Sequence, residues 1–408
     1  MTKNQTLQEP APVIERRHTT VQRISSIDIL RALTMVLMIF VNDLWSLKNI
    51  PQWLEHVERG VDGIGLADVV FPAFLFIVGL SLPFAIDHRR KKGDTTSQLV
   101  WHALSRTIAL LVMGVYLVNG ESIDATAMGM PKFLWYPLCC LSFILIWNVY
   151  PKRMNRSLVW IARSIGIITL VTLAILYKGK EGSFAPHWWG ILGLIGWAYL
   201  VSSLITIFAK NNFYVILAGW VFFAVLSMVS KAGFVPNNAV ISAVPDAIRG
   251  GTLAGLTMGG VLTSLIFQYY RSRNDNQRMT MVLLGFSAVL IALSIITRPY
   301  WKLAKLGATP AWLFLCSAFT ILAFTAIYWL ADVGKKANWF NIIKPAGTDT
   351  LLCYLIPYFM YAIVNATGAY LPGFMLTGGV GLLKSLLFAL LCVLITRLLN
   401  KRGVKLKL

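Results

Sequence analysis

Residues 38–79 read MIFVNDLWSLKNIPQWLEHVERGVDGIGLADVVFPAFLFIVG. An apolar run ends in Asn42 and Asp43, a polar hairpin follows, and a second apolar run opens just before Asp68. The hairpin gathers Asn42, Asp43, Glu55, His56, Glu58, Asp62 and Asp68, a density of chemistry found in almost no other loop of the chain. Ionisable groups beside a bilayer are costly, so their clustering marks a functional site by default.

Working outward, apolar runs of about 18–22 residues recur along nearly the whole length, each long enough to cross roughly 30 Å of hydrocarbon. Of the 408 residues, 57% are hydrophobic and 13% charged, against roughly one-quarter charged in soluble domains. The fold class expected is all-α, a polytopic transmembrane helix bundle of about twelve spans. The spans read as 27–46, 66–86, 101–119, 133–150, 158–177, 188–209, 213–231, 249–270, 279–297, 311–331, 349–368 and 379–399. A single membrane domain over residues 25–400 is expected, between a disordered cytoplasmic tail at 1–24 and a basic cytoplasmic tail at 401–408. Residues 1–24 carry Arg16, Arg17 and Arg23 without an apolar core segment, so they do not read as a cleaved signal peptide.

The net charge of +20 does not point to nucleic acid, because the basic residues are spread over short loops instead of clustering on one soluble module. They mark topology. Arg89–Lys92, Lys152, Arg153, Arg156, Arg271, Arg273, Lys335 and Lys336 fall on one side with both termini, which are therefore expected in the cytoplasm, with the 42–68 hairpin outside. The loop RPYWKLAKLGATP, 298–310, breaks this rule with Arg298, Lys302 and Lys305 on the outer side. Either it is a tolerated exception, or these cations meet an anionic ligand.

Other features read as scaffold. Gly251, Gly255 and Gly259 recur every fourth residue and Gly190, Gly193 and Gly196 every third, spacings that let helices approach closely within the chain or between two copies in a homodimer. The five cysteines lie in apolar runs and show no metal-ligand spacing. Trp45, Trp53, Trp188, Trp189, Tyr300, Trp301 and Trp312 cluster near outer span ends, as in an interfacial belt, although such rings also stack on sugars. Asp28 and Arg31 can neutralise one another on one helix face. No phosphate loop, HExxH helix or GxSxG elbow is present, which removes the signatures of nucleotide-driven pumping, zinc proteolysis and serine hydrolysis. There is no convincing internal repeat of the transporter kind.

Within the hairpin, His56 can take and return a proton near neutral pH. Asp68 could orient its imidazole, and Asn42 offers an amide to a carbonyl or developing oxyanion.

The order RISSIDILRALTMVLMIFVN (23–42), a polar loop with a histidine, then LADVVFPAFLFIVG (66–79) resembles the heparan-α-glucosaminide N-acetyltransferase family, including its bacterial NagX-type inner-membrane members. GGTLAGLTMGGVL (250–262), KLGATPAW (305–312) and KPAGTDTLLCYLIP (344–357) agree with it, while spans three to seven match in hydropathy alone. The resemblance implies a multi-pass protein of the bacterial inner membrane that uses cytosolic acetyl-CoA as donor substrate and an amino sugar or cell-envelope glycan on the outer side of the membrane as acceptor. It implies His56 as general base or transient acetyl carrier, Asn42 on the thioester carbonyl and Asp68 behind the histidine. Trp45, Arg298, Lys302 and Lys305 are the residues expected to contact the donor when its nucleotide head lies outward, and inner-face arginines serve the opposite pose. The alternative left by the same residues is an inner-membrane permease for amino sugars, with Asp43 or His56 coupling protons.

Overall fold

The computed structural model describes residues 24–180, 182–236 and 238–408, so the tail expected at 1–24 lies, except for Ile24, outside the described residues. Each of the twelve apolar runs is a helix: α1 Ser25–Asp43, α2 Leu66–Lys91, α3 Thr96–Asn119, α4 Lys132–Trp147, α5 Arg156–Leu176, α6 Ile191–Ala209, α7 Phe213–Lys231, α8 Thr252–Arg271, α9 Asn276–Thr297, α10 Pro310–Tyr328, α11 Thr350–Thr367 and α12 Gly378–Lys401. Among the described residues nine helices are long and apolar enough to cross a membrane, fewer than the dozen spans expected. The other three are α4, with 16 residues, and α1 and α8, whose polar and small side chains are sheltered at the centre. The protein is an all-helical, multi-pass membrane protein.

The centre is built on small residues. Pro72 and Pro83 are both accommodated inside α2, which lies against α8, a helix buried from Thr252 to Leu265. A methyl added at Gly79 would strike the Thr257 carbonyl, and one at Gly260 the Phe76 carbonyl, so these two glycines set the approach of the backbones. The stripe expected to do this does so in part: a carbon added at Gly251 would strike the Phe223 and Ser227 backbone of α7, whereas at Gly255 it would meet the Leu313 side chain and at Gly259 Phe76 and Trp220. The other stripe packs α6 on α3, with Gly193 against Gly114 and Gly190 against Val118. Both stripes are thus used inside the chain. At the periphery, α5, α7, α9 and α12 bury only 17–28% of their apolar windows, as lipid-facing helices do.

Hydrogen bonds between loops establish two faces. On one, Lys48 N–H donates to Leu376 O, Gly63 N–H to Leu303 O and Asp124 N–H to Lys178 O. On the other, the Asp332 carboxylate takes the Ser25 and Ser26 N–H groups at 3.0 and 2.9 Å and so satisfies free donors at the start of α1. Arg31 bonds Asp28 at 3.2 Å and Ser81 at 2.5 Å on that same face. The last residues fold back here: Lys405 N–H donates to Asn148 Oδ1 at 2.8 Å, and Leu406 is buried. Ile24 and Leu406 therefore share the face opposite the 44–65 hairpin.

Candidate active site

The hairpin is held by its own apolar plug. Leu44, Leu47 and Leu54 are buried with Met38, Val41, Ala67 and Val70 in a cluster beneath it. Two short 3-10 turns, Leu44–Ser46 and Gln52–Leu54, bring the chain back over the start of α2. Gly65 passes so close to Glu55 that a Cβ would collide with its carbonyl. This approach carries His56 to Asp68.

Asp68 is 3% exposed at its side chain and is the acceptor on which the hairpin closes. Its Oδ2 takes the Val57 N–H at 3.0 Å and the Gly65 N–H at 3.1 Å, and its Oδ1 lies 2.7 Å from His56 Nδ1. A carboxylate only accepts, so Nδ1 carries the proton and Nε2 is left for chemistry. The imidazole is 47% exposed, open to a substrate. The Asp68 carbonyl accepts the Trp312 Nε1–H at 3.0 Å. Trp312, expected in the interfacial belt, is 1% exposed, because its ring lies in the α2–α10 contact behind the site.

Loop 298–309 clamps onto the hairpin. Asp62 accepts the Leu303 N–H at 2.8 Å and the Arg298 Nε–H at 3.0 Å, and Lys302 donates to the Gly60 carbonyl at 3.1 Å. Burial pushes the Asp62 carboxyl up, but Leu303 and Arg298 together hold it below the usual carboxylate range. Lys305 reaches further in, with Nζ 3.3 Å from Nδ1 and Nε2 of His56 and 3.3 Å from the Ala67 carbonyl. Since Nδ1–H is committed to Asp68, Nε2 is the nitrogen that can accept from the ammonium. Burial lowers the Lys305 pKa, with the Asp68 charge opposing.

The structure thus joins His56, Asp68 and Lys305, and engages Arg298 and Lys302 with the hairpin's own acceptors. Asn42 is exposed on the last turn of α1, and among the described residues no hydrogen bond joins it to His56, Asp68 or Lys305. Trp45 is 77% exposed and edge-on to Tyr361, with ring centroids 6.4 Å apart.

Beside it lies a second constellation, of which the sequence pattern singles out only Asp43. Asp43, 2% exposed, accepts from Lys384 Nζ and Ser385 Oγ, both at 2.6 Å, and from the Tyr361 hydroxyl at 2.9 Å. The signal was present in GLLKSLLFALL (381–391), where Lys384 is a lone cation within an apolar span. Among the described residues no cluster of His, Cys, Asp or Glu could hold a metal ion.

Fold and site together define a polytopic helical membrane protein whose hairpin on one face presents a His–Asp pair under a lysine. A family model described as "Domain of unknown function (DUF5009)" matches residues 23–249, more than half of the chain, and the chain belongs to that family. The match runs through α3–α7, where sequence reading found agreement in hydropathy alone. It includes His56 and Asp68 but not Lys305. The chain is also similar to heparan-alpha-glucosaminide N-acetyltransferase of Mus musculus, 31% identical over 109 residues, which is 26% of this chain and 15% of that protein. The Homo sapiens protein of the same name is 30% identical over 101 residues, 24% of this chain and 14% of its own length. The alignments thus span about one-seventh of the curated relatives they match.

Proposed function

We propose that this protein is a membrane acyltransferase that moves an acetyl group from acetyl-CoA to an amino sugar or cell-envelope glycan on the hairpin side of the bilayer. The observation that carries the reading is the 2.7 Å contact of His56 Nδ1 with buried Asp68, which leaves Nε2 the unprotonated nitrogen of a half-exposed imidazole, 3.3 Å from Lys305 Nζ. The names of the relatives support the reaction type and an amino-sugar acceptor. Acetyl-CoA would supply an activated acyl carbonyl and a thiol leaving group.

His56 Nε2 would take a proton from the acceptor amine as its nitrogen bonds the acyl carbon, then return that proton to the thiolate as the carbon–sulfur bond breaks. Asp68 would hold the tautomer and stabilise the imidazolium formed between the two steps. Lys305, as the cation nearest Nε2, would stabilise the oxyanion developing on the acyl carbon. Asn42 would reach the thioester carbonyl from the exposed end of α1. Arg298 and Lys302 would contact the donor only by sharing their charge with the hairpin acceptors they already bind.

A permease for amino sugars is the second reading, favoured by the buried Asp43–Lys384 pair, because ionisable pairs within spans can relay protons. The two part on calorimetric titration of acetyl-CoA, desulfo-CoA and N-acetylglucosamine into the detergent-purified protein, followed by single-turnover acetylation of glucosamine. Heat from acetyl-CoA together with turnover that His56→Ala abolishes supports the transferase. Sugar binding without acetyl-CoA heat overturns it and leaves the permease.

A further inference from the structure

On the face that carries Ile24 and Leu406, a cavity of about 770 Å³ opens between the end of α4, the start of α5 and the last residues of the chain. Four cations line it, Lys152, Arg156, Arg163 and Lys407, and no acidic residue does. Among the described residues none of the four has a carboxylate partner within ion-pair distance. Lys407 interacts electrostatically with Asp349, which also bonds the Leu406 backbone and Asn400 and does not line the cavity.

Three independent features aim this cavity at an anion held at the membrane surface. One flank of α5 lines it over two turns, Arg156, Val159, Trp160 and Arg163, so that two arginines seven residues apart face the same space. Arg163 has its Nε buried without a hydrogen-bond partner, while its guanidinium stands 6.0 Å from the Tyr150 ring. A buried donor of this kind is costly unless an acceptor arrives. Its edge is apolar and bare: Trp160, which lines it, is 67% exposed, and Leu158 and Ile161 on the adjoining face of α5, outside the cavity, are more than half exposed. A basic floor against a lipid-facing wall suits a molecule with a phosphate at one end and acyl chains at the other.

We infer that this groove is a binding site for the phosphodiester headgroup of an anionic phospholipid. Arg156 and Arg163 take the phosphate oxygens, Lys152 and Lys407 close over it, and the acyl chains descend along Leu158 and Ile161. The tail is part of the site: Asn148 and Val149 bind the backbone of Lys405 on both its N–H and C=O, at 2.8 and 2.9 Å, which fixes where Lys407 stands. The site is independent of the hairpin on the opposite face and of the reaction proposed there.

The test is native mass spectrometry of the full chain in detergent with phosphatidylglycerol, beside phosphatidylcholine, glycerol 3-phosphate and inorganic phosphate. Phosphatidylglycerol should remain bound where phosphatidylcholine is lost, and the Arg156→Gln/Lys407→Gln protein should bind it at least tenfold more weakly. Both replaced side chains are exposed, so the fold is not at stake. Lys178→Gln/Lys180→Gln, which removes equal charge from the other face, should bind as the wild type does. Equal retention of the two lipids, or of phosphatidylglycerol by the Arg156→Gln/Lys407→Gln protein, overturns the site. Competition by glycerol 3-phosphate or inorganic phosphate at the affinity of phosphatidylglycerol overturns the lipid assignment in favour of a soluble phosphate ester.

Discussion

Lys305 Nζ lies 3.3 Å from both ring nitrogens of His56. The two residues are 249 positions apart, and loop 298–309 spans the gap. A cation so placed supplies a hydrogen-bond donor beside Nε2.

His56→Ala should slow acetyl transfer by about 10²–10⁴-fold, the usual contribution of a positioned general base. Lys305→Met should retain acetyl-CoA binding and lose rate. The lysine also has a stability signature. Its folded pKa is lowered from 10.5, so between that lowered value and 10.5 the unfolded chain binds more protons and stability rises with pH. Thermal unfolding scans across this alkaline window should show the rise for wild type relative to Lys305→Met. A constant difference between the two proteins would refute the assignment.

The Asp62 clasp should be acid-labile. Because its folded pKa is depressed below 3.8, its contribution is complete above 3.8 and is lost as pH falls through the folded value. Above that window, Asp62→Ala should release the loop at neutral pH, exposing Lys302 and Lys305 to trypsin. Unchanged cleavage would mean that the Gly63–Leu303 backbone bond holds the loop unaided.

Lys384→Met should cost about 3–5 kcal/mol by leaving the Asp43 charge buried with hydroxyl partners alone. Adding Asp43→Asn should recover much of that loss, since the uncompensated charge is then gone. Melting temperatures of the single and double variants in detergent decide this. No recovery would assign the Lys384 effect to packing.

Gly79→Ala should prevent assembly of α2 on α8, because the new methyl meets the Thr257 backbone, which cannot move aside as a side chain can. Gly285→Ala is the control: nothing lies within 4 Å of the added carbon, and the change should stabilise α9 by up to about 1 kcal/mol through helix propensity. Fluorescence size-exclusion profiles of the two variants separate close approach from a general intolerance of the larger residue.

Much of this protein was legible in its sequence because bilayer chemistry is one-dimensional. A span must be about twenty apolar residues whatever its neighbours are, so the runs around α1 and α2 located themselves, as did the polar hairpin between them. His56 and Asp68 could be paired on paper because both sit in one loop with fixed ends. Asp28 and Arg31 were readable for the same reason, being three residues apart on one helix.

Other relationships required the folded chain. Lys305 carries no mark that distinguishes it from Lys302, yet one meets His56 and the other a backbone carbonyl. Trp312 looks like any interfacial tryptophan until α10 packs on α2 and buries its N–H against Asp68. Gly79 and Gly260 set the α2–α8 backbone contact, while of the regular stripe only Gly251 lies against backbone and Gly255 and Gly259 face side chains. The sequence alone determined the helices, the hairpin and the chemistry it carries, since hydropathy and residue type act locally. Tertiary structure alone decided which cation faces the histidine, which lysine neutralises Asp43 and which faces lie against lipid. These depend on how helices far apart in the chain are rotated and set side by side, and no local pattern encodes that.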